Sequence, residues 1–165
     1  MSNVISRREA LLFTALGAMS TGSSISYAQG ASGNRKSVMK YVRCYADADG
    51  ESHLEDVELD MPVQDFGTAN VPDLAMTKSL NASKIFFVRV EANKPEHREM
   101  DWHTPPDRRF GIWLEGETEI ITSDGDIRHL GPGDVALAED TTGKGHRSRN
   151  LRDVLIAFVT LSEES

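Results

Sequence analysis

Cysteine is almost missing from this chain: Cys44 is the single one among 165 residues. A lone cysteine excludes an intramolecular disulfide and any zinc site built from several thiolates. Positive charge is also scarce, with 18 Lys and Arg against 26 Asp and Glu and a net charge of −8. That balance disfavours a nucleic-acid binder, whose phosphate contacts need clustered Lys and Arg. It disfavours anionic membrane surfaces for the same reason. The apolar stretch from Ala10 to Met19 falls short of the roughly 20 residues a bilayer span requires, so no membrane anchor is expected. There is no G-x-S-x-G, no Ser–His–Asp order and no dinucleotide fingerprint. The Gly143-Lys144 pair with its threonines lacks the G-x4-G-K-[ST] spacing, and no helix follows it, so it is not a phosphate loop. What remains is ordinary for a globular domain: 39% hydrophobic and 27% charged residues, in a length that suits one domain.

The first 28 residues read as an address. Arg7 and Arg8 form a charged start, Ala10–Met19 an apolar centre, and Ser26-Tyr27-Ala28 a small-x-small cleavage signal. Ser6-Arg7-Arg8-Glu9-Ala10-Leu11 resembles the twin-arginine export motif, which implies transport of an already folded protein to the bacterial periplasm. The alternative is an ordinary secretory leader. Cleavage near Ala28 takes away two arginines and one glutamate and leaves 137 residues at −9. Residues 29–37 are small and polar, a flexible start. Residues 38–165 then form the single domain.

From Val38 onward the helical period gives way to short β-rich runs separated by Gly, Asp, Asn and Pro. Strands are expected at 38–46, 52–59, 84–92, 109–114, 117–122, 126–130, 134–138, 145–149 and 153–161. Asp124-Gly125 supplies the positive-φ turn of a hairpin, and Gly131-Pro132-Gly133-Asp134 another tight turn. A short helical turn is expected around Leu74–Leu80. Many short strands with few helices point to an all-β sandwich or small barrel.

The segments Trp102-His103-Thr104-Pro105-Pro106, Leu114-Glu115-Gly116-Glu117, Gly131-Pro132-Gly133-Asp134 and Gly145-His146-Arg147-Ser148-Arg149-Asn150, in that order, resemble the cupin superfamily over about residues 84–161. The resemblance implies an antiparallel β-barrel of jelly-roll type. Gly116 takes the place of the glycine that closes the first cupin motif. Arg109 then stands where metal-binding cupins carry glutamate, and His103 and Pro105 take the two histidine places. A looser register instead puts Asp101 and His103 on that pair. In the second motif Gly133 is the opening glycine, Glu139 takes the proline place, and His146 and Asn150 fit H-x3-N with two residues inserted before His146. Two of the usual three histidines and no glutamate are therefore present.

His103 and His146 are the candidate catalytic residues, for proton transfer or as metal ligands. Asp101 is the nearest carboxylate to complete a site, since it shares a face with His103 if the chain is extended. His97, Glu99, Asp101 and His103 fall at period two and would share that face; a solvated edge is the alternative for the first two. Neutral imidazoles with a carboxylate suit a divalent transition metal (Zn, Fe, Ni, Mn or Cu); the alternative is a metal-free pocket. Arg109, Trp113 and Asn150 are the candidate ligand-binding residues. Arg109 would meet a carboxylate or phosphate, and Trp113 would stack on a ring or simply pack. Glu139 and Asp140 sit in the loop before His146, as bases, ligands or turn carboxylates. Cys44 would cross-link two chains if exposed and be inert if buried. The expected partner is a small polar or acidic metabolite, such as a sugar acid or small aromatic acid. Two classes stay open: an enzyme acting on it, or a non-catalytic binding module. A homodimer is expected too, with strand 38–46 as the edge.

Overall fold

The computed structural model describes residues 37–162. The leader expected at 1–28, and the polar stretch after it up to residue 36, lie outside the described residues.

The runs rich in β-branched and aromatic residues form the strands. They are β1 (Val38–Ala46), β2 (Ser52–Asp60), β3 (Val63–Gln64), β4 (Leu74–Ala75), β5 (Ala82–Val90), β6 (Glu99–His103), β7 (Arg109–Glu115), β8 (Thr118–Thr122), β9 (Ile127–Leu130), β10 (Val135–Ala138), β11 (His146–Asn150) and β12 (Val154–Leu161). The turns between them use side chains that mimic backbone. Asp47 accepts N–H bonds from Asp49 and Glu51 after β1, and Asp134 accepts one from Gly131 before β10. Gly125 and Gly133 sit at φ of +93° and +94°, where a side chain would be strained.

The strands form a six-stranded sheet, β2-β1-β10-β7-β12-β5, and a four-stranded sheet, β6-β11-β8-β9, with β3 and β4 paired apart. Within these, β10-β7-β12-β5 and β6-β11-β8-β9 are the two four-stranded halves of a jelly roll, the chain crossing between them at each step from β5 to β12 except the β8–β9 hairpin. The hydrogen-bonded strand order thus gives the all-β jelly roll. The two sheets face each other without closing into one continuous ring.

Apolar residues on the facing sides make the core. Trp113, Ile120, Leu130, Val154 and Ile156 are all buried and touch, with Val42, Leu54, Val90 and Phe158 packed around them. Each such side chain contributes about 1.5–3 kcal/mol by leaving water. A second cluster, Phe110, Leu137 and Leu161 with Tyr41 and Val159, lies on the opposite face of the six-stranded sheet. The reason is alternation: Phe110 sits between Arg109 and Gly111, which point inward.

Three expectations are corrected. No helical turn forms at Leu74–Leu80, where Leu74–Ala75 pair with Val63–Gln64 instead. The short helix is α1 (Pro95–Arg98), started by Pro95, whose fixed φ suits a first helical turn. It takes His97 out of the supposed strand, so His97 shares no strand face with Asp101 and His103. Finally, strand 38–46 is not an edge. β1 is paired on one side with β2 and on the other, in parallel, with β10. Its central residues, Val42 to Cys44, are thus paired on both sides, so β1 lies inside the sheet there. That parallel pair is also an exception in an otherwise antiparallel architecture.

Candidate functional site

Register places the chemistry in one layer. Across the large sheet, Cys44 lies opposite Ala138, Ala138 opposite Arg109, and Arg109 opposite Thr160. Across the small sheet, His103 lies opposite His146, and His146 opposite Thr122. These two rows border one end of a cavity of about 270 Å³ between the sheets. Its walls are mostly apolar, from Val42, Leu54, Val90, Met100, Ile156 and Phe158. Cys44, His103, Arg109 and His146 break that surface with polar groups.

The two candidate histidines come together, with ring centroids 4.7 Å apart. His146 is 8% exposed, and its Nδ1 lies 2.7 Å from Oδ2 of Asp140, which is wholly buried. His103 is exposed at the cavity mouth and donates from Nδ1 to the Asp101 carbonyl at 2.7 Å. In each ring Nδ1 faces an oxygen acceptor, so in the neutral form the lone pair is on Nε2.

Gly145 is why the pair is so close. It adopts φ of +69°, and a Cβ there would come within 2.0 Å of the His103 carbonyl oxygen. The loop from Glu139 to Gly145 is tied to the β1–β2 turn. Glu139 N–H donates to Cys44 O at 2.7 Å, Lys144 N–H to Gly50 O at 2.9 Å, and Ser52 Oγ to Gly145 O at 2.6 Å. These bonds place Asp140 beneath His146.

Asp101 does not join this site. The register of β6 against β11 slips by one residue between the His146 and Ser148 pairs, because three steps on β6 match two on β11. Met100 and His103 therefore both line the cavity, and Asp101 between them is exposed. Its carboxylate accepts the N–H of Trp102. The ligand set His103, His146 and Asp101 is thus not assembled, and Arg109 lines the same cavity where metal-binding cupins carry an acid. A different donor set is assembled. Cys44, Asp140 and His146, all buried, each offer one donor atom within 4.8 Å of the other two. Cys44 Sγ lies 4.0 Å from His146 Nδ1. Burial pushes the Cys44 thiol well above its ordinary range, and the neighbouring Asp140 carboxylate adds to this. These groups can hold a metal ion.

Arg109 does point inward. Its Nε donates to the Asp107 carbonyl at 3.2 Å, and its guanidinium lies 5.5 Å from the Phe158 ring centre and 5.8 Å from that of Phe86. Its Nη2 is buried with no hydrogen-bond partner, and so is Oγ1 of Thr160 on the adjacent strand. Trp113 is 4% exposed, part of the core and of the cavity wall, and donates from Nε1 to Thr118 Oγ1 at 3.1 Å. Asn150 also lines the cavity, but its amide is already occupied: its oxygen accepts from Thr118 at 2.9 Å and its nitrogen donates to His97 O at 2.8 Å. Its contacts are those of a buried structural bridge.

Glu139 is held by Arg43 and Arg108. Burial alone would raise its pKa, but hydrogen bonds from both arginines keep the carboxyl below its ordinary range. An ionised, paired carboxylate is a poor proton acceptor, which removes Glu139 as a base. His129 faces Glu117 at 3.4 Å on the surface, away from the cavity.

The fold and the site together define an all-β jelly roll with an apolar cavity and a polar layer at one end. No family model matches the chain, and no curated protein does. Among solved structures, a cupin-2 domain protein from Shewanella frigidimarina is 21% identical, over 52% of this chain and 76% of its own, at a TM-score of 0.39. An RmlC-like cupin protein from Desulfovibrio desulfuricans is 11% identical, over 89% of this chain and 97% of its own, at 0.35. A protein from Neisseria meningitidis is 19% identical, over 47% of this chain and 72% of its own, at 0.39.

Proposed function

We propose that this is an exported jelly-roll protein whose cavity binds a small molecule with an apolar or aromatic body and one anionic group. The observation that carries the reading is the buried, unpartnered Nη2 of Arg109 beside the unpartnered Oγ1 of Thr160. A buried cationic donor without an acceptor is costly, and a carboxylate supplies the missing charge and hydrogen bond. The apolar walls take the body of the ligand.

Calorimetric titration with benzoate, and with benzyl alcohol as the uncharged comparison, tests this. Benzoate is expected to bind more tightly, and Arg109→Gln to weaken benzoate by roughly tenfold or more, the value of one charged hydrogen bond, while leaving benzyl alcohol unchanged. Equal binding of the two, or indifference to Arg109→Gln, overturns the reading.

The enzyme reading rests on the facing histidines, with Nδ1 anchored in each ring and Nε2 left for proton exchange. Benzoate affinity that is independent of pH and survives His103→Ala and His146→Ala assigns a binding module instead.

A further inference from the structure

We propose that Cys44, Asp140 and His146 form a binding site for a divalent cation of the zinc type, with one coordination position left open to the cavity. The donor set is a thiol, a carboxylate and an imidazole with one atom of each within 4.8 Å of the others. Thiolate, nitrogen and carboxylate oxygen are the ligands of zinc and its neighbours, whereas magnesium and calcium prefer oxygen alone. Three protein ligands with an open fourth position is the arrangement of a reactive rather than a purely structural zinc site.

A second, independent observation points to the same place. Asp140 is 0% exposed, yet its Oδ1 has no hydrogen-bond partner. A buried carboxylate oxygen left unpaired carries a large desolvation penalty, and a bound cation removes it. The present contacts are those the donors make when protons occupy the cation's place, with the His146 Nδ1–H directed at Oδ2. On loading, the Cys44 thiol proton passes to solvent and sulfur binds as thiolate. The imidazole proton moves from Nδ1 to Nε2, so that the ring becomes a donor on its other side. Cys44 and His146 both line the cavity, so the open position faces any ligand bound there. Arg109 is two strands from Cys44 in the same row, and its guanidinium lies against Phe158 and Phe86, on the strands farther from Cys44.

The test uses the untagged full chain with reductant present, loaded with zinc or with cobalt(II). The site requires one metal ion retained per chain after dialysis and, with cobalt, a near-ultraviolet thiolate-to-metal charge-transfer band. The band is expected to vanish in Cys44→Ser and to persist in Asp101→Ala. Asp140→Asn is expected to weaken cobalt binding by more than the 10–100-fold typical of losing a mere supporting residue. No stoichiometric uptake overturns the proposal. Uptake without the thiolate band also overturns it, by putting the metal elsewhere, and so does a band that survives Cys44→Ser. The band in the unsubstituted chain decides the matter even if a variant does not fold.

Discussion

Gly125 and Gly145 both adopt left-handed backbone, at φ of +93° and +69°, but they differ in what surrounds them. A Cβ at Gly125 would meet nothing within 4 Å, whereas one at Gly145 would run into the His103 carbonyl. Gly125→Ala is therefore expected to cost only the conformational term, about 1–2 kcal/mol. Gly145→Ala adds a backbone collision that only a shift of β6 or β11 can relieve, and should cost about 3 kcal/mol or more. Urea denaturation of both variants measures the difference. Equal losses would show that the approach of Gly145 to His103 is not what holds the histidine pair together. This single-residue constraint was only half legible. Gly145 stood out as a glycine before His146, but nothing local shows that it abuts His103. Asp101 was misplaced for a related reason, since period-two reasoning assumes an unbroken register and β6 slips by one residue beside it. Nothing local to Cys44 or Asp140 shows that the two meet at His146. They lie on strands and loops far apart in sequence, Cys44 being 102 residues from His146.

Elements were more legible than contacts. Nine strands follow from alternating β-branched and aromatic runs bounded by Gly, Pro, Asp and Asn, and the observed limits agree to within two residues. Only β6, β3 and β4, whose runs are short or strongly charged, lack a clear strand signal. Pairing is another matter, because the parallel match of β1 with β10 leaves no local signature. It is this pairing that delivers Cys44 to the site. One cross-sheet tie can be tested at this scale. His53 on β2 bonds Asp47 in the β1–β2 turn at 2.9 Å and Asp124 in the β8–β9 turn at 2.7 Å. The hydrogen bonds to Asp47 and then Asp124 raise the pKa of His53; the Asp47 carboxyl is held below its ordinary value first by His53, and that of Asp124 first by the Asp126 N–H, with His53 adding to it. A raised histidine pKa stabilises the fold fully below the unfolded value of about 6.5, and that contribution is lost as pH rises through the folded value. The lowered carboxyls contribute above about 3.9, and their share is lost as pH falls further. The tie is thus complete between about pH 4 and 6.5. Thermal midpoints from pH 6 to 8.5 should fall in the unsubstituted chain and fall less in His53→Gln. Parallel curves for the two would mean that the tie adds nothing to stability.

On the scale of the whole molecule, the jelly roll is assembled from distant partners. β5 pairs with β12, the last strand, and β1 waits for β10. Neither half of the larger sheet can form until nearly all of the chain is available, which makes folding slow and leaves edges exposed meanwhile. A route that carries a finished domain suits such a topology better than one that threads an unfolded chain. The Ser6-Arg7-Arg8 segment resembles the signal for such a route. A metal at Cys44, Asp140 and His146 would then be loaded before transport, while the thiol is still in a reducing compartment. The discriminating substitution is Arg7→Lys with Arg8→Lys, which keeps the positive charge an ordinary secretory leader needs but removes the guanidinium pair. Expressed in a bacterium, the unsubstituted chain is expected in the periplasmic fraction, shortened to start near residue 29. The Lys-Lys variant should remain inside at full length and folded, as limited proteolysis would show. Export of the Lys-Lys variant at the unsubstituted level would make the leader an ordinary secretory one, and the domain would then have to fold, and gain any metal, after transport.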